Sequence, residues 1–201
     1  MSDREVTTPV IAFDIDGVIR VPNAKPGLEF RPHVMTAEIT IRADAYPTLH
    51  HTALRFDEDT LPGTHTFSAT AVNWIRHLLD QPVEVVWAST WGEHANTYFA
   101  RPLGLPDLPV ATVEDGIWDE SSPMWKARQL GAKFPGRPLV WVDDVIPAVA
   151  RRLFFESRGP QDQPITLVHR VTDRALGFTS LDASRLEDWL EGFCVRRSTP
   201  E

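Results

Sequence analysis

The chain has 201 residues and a formal net charge of −8 at pH 7, and we predict one domain over residues 1–201. This charge argues against a broad nucleic-acid surface, which would need a basic face. The single cysteine, Cys194, excludes an internal disulfide. Neither a signal-peptide pattern nor an apolar run of bilayer-spanning length occurs, so we expect a cytoplasmic protein with no membrane partner.

The first predicted element is a buried strand over residues 10–14, which ends in an acidic motif. Asp14 and Asp16 lie two residues apart, so strand alternation points both carboxylates the same way. Gly17 then allows a sharp turn. Two neighbouring carboxylates repel each other unless a cation or a shared proton intervenes, and a divalent cation with oxygen ligands is the natural partner. The alternative is an ordinary strand-end turn, since Asp and Gly are common turn residues.

Residues 18–67 are interpreted as a small strand-rich insert within the domain. Residues 34–41 alternate like a strand, and we expect residues 50–56 to pair with them as a hairpin. So small an insert predicts an open site, suited to a bulky substrate, unless a second subunit supplies a lid. The insert also contains four histidines whose spacing matches no zinc-ligand pattern, and we interpret them as loop and hairpin residues: His33, His50, His51 and His65.

Hydroxyl side chains mark the end of the next predicted strand. A helix begins near Ser68, with apolar residues spaced to form one buried stripe. The strand at residues 83–89 then ends in Ser89, and Thr90 follows. Capping or turn formation is the commoner reason for hydroxyls at such a position. A helix over residues 93–103 and a short strand over residues 110–113 come next.

The second half of the chain supplies a lysine and an acidic pair. A helix over residues 124–130 carries Lys126, with Arg128 as the fallback cation. The strand at residues 139–142 ends in Asp143 and Asp144, and Asp144 also suits a helix N-cap. A helix over residues 146–157 and a strand over residues 165–169 follow. The last helix begins near Ser184, which forms a capping-box pattern with the glutamate three residues later.

Alternating strands and helices predict an α/β fold, a Rossmann-like parallel sheet with helices on both faces. Active sites of such sheets lie at the carboxyl ends of the strands. Asp14, Ser89 and Asp143 all follow strands directly. The same edge of the sheet is therefore predicted to carry the site.

The order Asp-x-Asp, Ser or Thr, Lys and Asp-Asp resembles the four motifs of the haloacid dehalogenase (HAD) superfamily of phosphohydrolases. The resemblance implies that Asp14 attacks phosphorus and forms an aspartyl-phosphate, while Asp16 acts as general acid and then as base. It implies Mg2+ as cofactor, held by Asp14, Asp143 and the Asp16 backbone carbonyl. Asp144 would bind the ion through water or orient Asp143.

The remaining motifs imply contacts to the phosphorylated substrate. Ser89, or Thr90 in its place, would hydrogen-bond the transferring phosphoryl group, and Lys126 would offset its negative charge. Trp91, with Ala95 and Asn96, resembles a pattern of a HAD subgroup associated with bacterial RNA-repair proteins. Trp91 would then stack on a base or sugar. We favour the alternative that Trp91 packs in the core, and that Asn96 stabilises the helix start or contacts the neighbouring loop.

The sequence thus predicts a magnesium-dependent phosphohydrolase acting on a phosphomonoester, with no indicated oligomeric state. Three alternatives stay open: an end phosphatase of nucleic acid in RNA repair, a phosphotransferase with an acceptor other than water, and a non-catalytic binding module. The intact set of acidic residues counts against the last. The net charge of −8 counts against the first.

Overall fold

The computed structural model describes residues 7–22, 24, 27, 28, 31–42, 45, 60–113 and 121–194. Its strands, in chain order, are β1 (Val10–Phe13), β2 (Val34–Arg42), β3 (Thr60–Ser68), β4 (Glu84–Trp87), β5 (Leu139–Asp143) and β6 (Thr166–Arg170). Its helices are α1 (Ala69–Leu79), a π-helix (Asn96–Ala100), α2 (Ser122–Lys133), α3 (Ala148–Arg158), a 3-10 turn (Gln163–Ile165) and α4 (Ser180–Cys194).

The main sheet has the order β4-β1-β5-β6, and all of its pairs are parallel. After β1, the next strand of this sheet in the chain is β4, which lies on one side of β1. The strand that follows, β5, lies on the other side of β1. This reversal beside β1 is a topological switch point, and the carboxyl ends of strands at such a point form a crevice. The strand order therefore predicts a binding crevice where β1 ends.

Helices cover both faces of this sheet, as the alternation of elements predicts. Ile11 and Phe13 of β1 are buried in a core shared with α1 and α4. Val10 and Ala12 point the opposite way, into a second core shared with α2 and α3. Strand residues alternate between faces, so the continuous apolar run of β1 is explained by burial on both sides.

The insert forms an antiparallel hairpin of β2 and β3, which confirms its strand-rich character. β2 matches its prediction. Its observed partner is β3, whereas the predicted partner, residues 50–56, lies outside the described residues. β3 runs directly into α1, and the Ser68 side chain caps that helix by accepting from the Ala71 amide at 3.0 Å.

The start of α4 differs from its prediction. The helix begins at Ser180 rather than near Ser184, because Thr179 and Asp182 form the cap. The amide and the hydroxyl of Thr179 donate to Asp182 Oδ2 at 2.8 and 2.7 Å. Glu187, expected to complete a cap with Ser184, instead accepts from Trp74 Nε1 at 3.0 Å.

The segment predicted as a helix over residues 93–103 contains the π-helix. Asn96 does contact the neighbouring loop: its Nδ2 donates to the Leu108 carbonyl at 2.9 Å, and its Oδ1 accepts from Trp87 Nε1 at 2.8 Å.

Among the described residues, no helix has both the length and the apolar character needed to cross a bilayer.

Candidate active site

Asp14 and Asp143 lie side by side because β1 and β5 are parallel neighbours. Phe13 pairs with Val142, so the next residue of each strand is an aspartate at the same level. The Asp14 amide donates to the Val142 carbonyl at 2.9 Å. Phe13 and Val142 face α1 and α4, so alternation turns both aspartates toward the face covered by α2 and α3.

Lys126 of α2 lies between these two carboxylates. Its Nζ is 3.0 Å from Asp14 Oδ2 and 3.0 Å from Asp143 Oδ2. The lysine is 3% exposed. A buried ammonium is costly without anionic partners, and here it has two. The sequence order that singled out Lys126 therefore identifies a side chain in direct contact with both strand-end aspartates.

Asp144 completes a buried acidic group. Asp14, Asp143 and Asp144 each offer a carboxylate oxygen, and these oxygens lie within 4.8 Å of one another. Asp144 Oδ2 is buried without a hydrogen-bond partner, although Nε of the exposed Arg174 lies 3.4 Å away. When all three are ionised, the three buried carboxylates and one buried ammonium leave two negative charges. An all-oxygen donor set with that charge and an unsatisfied oxygen fits a hard divalent cation such as Mg2+.

Burial shapes the electrostatics of this group. Burial raises the pKa of Asp14 to about 7, the charge of Lys126 opposes that shift, and the charge of Asp143 adds to it. Burial likewise raises the pKa of Asp144 to about 6. Burial of the Lys126 ammonium acts to lower its pKa, but Asp14 and Asp143 outweigh it and raise the pKa. Burial and the mutual repulsion of the carboxylates together outweigh the attraction of Lys126, and a proton or a cation would offset the difference.

Gly17 lies in the loop after β1 and brings that loop against Asp144. Its φ is 76°, a conformation that favours glycine. A Cβ at Gly17 would overlap the carboxylate group of Asp144, with Asp144 Oδ2 the nearest atom. The glycine that follows Asp16 in sequence is thus required both by its backbone conformation and by the close approach of the acidic group.

Replacing Gly17 by alanine will displace Asp144 and destabilise the protein. Gly136→Ala is the matched control, because Gly136 has a φ of 73° and a Cβ there meets nothing within 4 Å. Both substitutions bear the backbone cost of about 1 kcal/mol. Overpacking should cost Gly17→Ala a further 1–3 kcal/mol, roughly. Urea denaturation measures both, and equal losses would show that Asp144 does not restrict this loop.

Ser89 and Thr90 lie at the same edge of the sheet. β4 is the other neighbour of β1, and the Ala88 amide donates to the Phe13 carbonyl at 2.7 Å. Ser89 is buried at 1% exposure, whereas Thr90 is half-buried. The Ser89 hydroxyl also accepts from the Trp91 amide at 3.4 Å, a long contact of the turn-forming kind.

Thr112 is a buried hydroxyl that the sequence analysis missed. It is 1% exposed, and its Oγ1 has no hydrogen-bond partner. Val110 bridges Trp87 in parallel, so Thr112 continues to the same edge as Ser89, outside β4. The predicted strand at residues 110–113 is reduced to this single bridge. In the sequence, the position of Thr112 near the end of that predicted strand was the one available signal.

The carboxylate of Asp16 is held by two donors that the sequence did not reveal. Arg20 Nε donates to Asp16 Oδ1 in a short ion pair, and Trp91 Nε1 donates to Asp16 Oδ2 at 2.9 Å. Trp91 is 2% exposed, and its ring packs edge to face on Phe99 at 4.8 Å. Burial favours the packing interpretation of Trp91 over stacking on a substrate.

Two of the four histidines of the insert fall within the described residues. His33 and His65 each have a buried Nε2 without a hydrogen-bond partner. Burial first, and then the charge of Arg20, lowers the pKa of His65 and so favours the neutral ring. Neither histidine belongs to the acidic group formed by the described residues. His50 and His51 lie outside them.

Comparisons with known proteins reveal similarity in structure rather than in sequence. No protein-family model matches the chain, and no curated protein matches it significantly. Two solved structures of the HAD domain of effector protein Lem4 from Legionella pneumophila are similar to it. An inactive mutant has a TM-score of 0.53 at 11% identity, over 94% of this chain and 95% of that one.

The second Lem4 structure gives nearly the same result. Its TM-score is 0.52 at 13% identity, and the match covers 96% of this chain and 98% of that one. Coverage of both chains is almost complete, so the similarity extends over the whole fold. The fold of this protein is therefore HAD-like, which confirms the expectation from the order of the motifs.

Proposed function

We propose that the protein is a magnesium-dependent phosphohydrolase that acts on a phosphomonoester through an aspartyl-phosphate at Asp14. The observation that carries the proposal is the position of the Lys126 ammonium, 3.0 Å from both Asp14 and Asp143 and beside buried Asp144. A carboxylate attacks a phosphate dianion poorly unless nearby cations neutralise the charge. In this arrangement one cation lies beside Asp14, the proposed nucleophile, and carboxylate oxygens remain for a second cation.

Asp14, Asp143, Asp144 and the Asp16 backbone carbonyl would hold Mg2+, which when bound neutralises charge on the transferring phosphoryl group. Asp14 forms the bond to phosphorus while the bond from phosphorus to the leaving oxygen breaks. Asp16 donates a proton to that oxygen. Asp16 then takes a proton from water, whose oxygen attacks phosphorus and releases phosphate and free Asp14.

Ser89 and Lys126 would contact the phosphoryl oxygens through this sequence. Asp14 must be ionised to attack, and burial raises its pKa to about 7. A bound cation would therefore favour the ionised, reactive form of Asp14. It would also neutralise negative charge on the substrate. A purely structural role would not account for the buried acidic group, because burial makes ionised carboxylates destabilising to the fold.

A nucleic-acid end is a second candidate substrate, and two arginines favour it. Arg170 and Arg174 are both exposed beside the acidic group. Arg170 Nε donates to the Asp144 carbonyl at 3.2 Å, and Arg174 Nε lies 3.4 Å from Asp144 Oδ2. In a chain of net charge −8, these two exposed guanidinium groups would suit a substrate with a phosphodiester next to its terminal phosphate.

Phosphate release tests the proposal. The substrates are p-nitrophenyl phosphate, nucleotides, and oligonucleotides phosphorylated at the 3′ or 5′ end, with Mg2+ or with EDTA. Asp14→Asn, purified in parallel, controls for contaminating phosphatase. We expect Mg2+-dependent release that the variant lacks. A preference for an oligonucleotide would establish the second candidate, and transfer to added alcohol in place of water would indicate a phosphotransferase. Folded protein that releases nothing would overturn the proposal in favour of a binding role.

A further inference from the structure

We infer that Arg20 and Trp91 are positioning residues that hold the carboxylate of Asp16 for proton transfer. This inference rests on the proposed function, in which Asp16 serves as acid and base. The pair is called the Asp16 clamp below. Its members come from two different loops, one that follows β1 and one that follows β4.

Both oxygens of Asp16 are engaged by the clamp. Arg20 Nε donates to Oδ1, and Trp91 Nε1 donates to Oδ2 at 2.9 Å. Two donors on opposite oxygens restrict rotation of a carboxylate far more than one donor does. Each oxygen retains a second lone pair for a leaving group or a water. A carboxylate that must give and then take a proton at fixed points benefits from this restriction.

Two aromatic rings pack against the guanidinium of the clamp. The Arg20 guanidinium lies over the rings of Trp91 and Phe99, at 5.2 and 5.5 Å from their centroids. Arg20 is 9% exposed. Cation–π contact of a desolvated arginine with two rings is a stabilising arrangement, and Phe99 belongs to the π-helix, a form common at functional sites.

The hairpin supports the loop that carries Arg20. Arg20 bridges Phe67 of β3 in antiparallel fashion. The Val21 amide donates to the Thr66 carbonyl, and the Ser68 amide to the Ile19 carbonyl, both at 2.8 Å. The loop after Asp16 is thus bonded to the end of β3 through a single β-bridge and two flanking backbone hydrogen bonds. The insert at residues 18–67 therefore fixes the acid–base residue in addition to any effect on access to the site.

Leaving-group dependence separates positioning from general structural support. An alkoxide needs a proton as it leaves, whereas p-nitrophenolate leaves without one. With enzyme in excess over substrate, Arg20→Gln should slow phosphoryl transfer from glycerol 2-phosphate about 100-fold. Transfer from p-nitrophenyl phosphate should slow less than about threefold. Trp91→Phe, which keeps a ring and loses the donor, should show the same pattern more weakly.

A double substitution tests whether Arg20 acts through Asp16. Arg20→Gln added to Asp16→Asn should cause no further loss in either reaction. Arg101→Gln is the matched control, because Arg101 also pairs with an aspartate, Asp107, but at an exposed position. Equal slowing of both substrates, or a further loss in the Asp16→Asn background, would overturn the inference.

The indole N–H resonance of Trp91 gives a readout that needs no activity. The chain has seven tryptophans, and the resonance absent from Trp91→Phe identifies Trp91. In metal-free protein, Arg20→Gln and Asp16→Asn should shift this signal more than the other six, and Arg101→Gln should leave it in place. An unmoved signal would overturn the clamp. A moved signal in a protein that releases no phosphate would retain the clamp and reject the proposed function.

Discussion

Replacing Lys126 by methionine is expected to lower the free energy of unfolding by about 3–5 kcal/mol at pH 7.5 in metal-free buffer. Lys126 is the one cation within 3.0 Å of both Asp14 and Asp143 among the described ion pairs, and all three side chains are buried. Its removal leaves two buried carboxylates with their repulsion uncompensated. Thermal or urea denaturation measures the loss.

The same variant should respond to Mg2+ and to pH in a way that a packing defect would not. Added Mg2+ should restore part of the lost stability, because a bound cation replaces the missing charge. Acid should also restore it, because protonation removes the repulsion. Lys133→Met is the matched control: it lies on α2 as well, but its amine donates to the carbonyls of Val110 and Ala111.

We expect less than about 1 kcal/mol from Lys133→Met, as for most surface substitutions. If Lys126→Met were as mild as this control, the carboxylates would not depend on that ammonium. If the loss were large but unchanged by Mg2+ and acid, the buried stem of Lys126 would matter more than its charge. Phosphate release by Lys126→Met, with Mg2+ present, should be lost in parallel under the proposed function.

The acidic group was predictable from the sequence because its geometry follows from strands. A continuous apolar run indicates a strand buried on both faces, and residues after parallel strands meet at one edge. The positions of Asp14 and Asp143 were predictable from this rule alone. Lys126 lies on a helix, where no such rule applies, and only its place in the order of the motifs indicated it. Its contacts depend on how α2 packs on the sheet.

The clamp was not predictable, because its contacts depend on segments that are distant in the chain. Arg20 follows Asp16 by four residues, as in many helical ion pairs, yet no helix is present there. Its position comes from pairing with β3, a strand with proline and glycine at residues 62 and 63 that local propensity disfavours. Trp91 comes from the loop after β4, which is distant in the chain from Arg20.

Local patterns also failed where two of them competed. Ser184 with Glu187 and Thr179 with Asp182 are both capping-box patterns, and they lie five residues apart. The second forms the cap, and the buried His169 on β6 helps to hold it, with Nε2 at 2.8 Å from Asp182 Oδ1. A contact between β6 and α4 decides between them, and no local pattern contains that contact.

Asp14→Asn is expected to abolish phosphate release, by roughly 1,000-fold or more, while making metal-free protein more stable at pH 8. Asparagine cannot form the aspartyl-phosphate. Its effect on stability follows from the pKa of Asp14, which burial raises from 3.8 to about 7. Between these values the folded state holds a proton that the unfolded state has released. The contribution of Asp14 to stability therefore falls as the pH rises from about 4 to about 7.

Asparagine removes that dependence. In EDTA, Asp14→Asn and the natural protein should have similar stability near pH 4, and the variant should exceed it by roughly 4 kcal/mol at pH 8. Asp188→Asn, an exposed substitution on α4, should change neither stability nor activity. Loss of release together with loss of stability at pH 8 would mean that Asp14 serves mainly to hold Lys126. Loss of release with a gain in stability is the result expected of a nucleophile whose ionised form the fold itself disfavours.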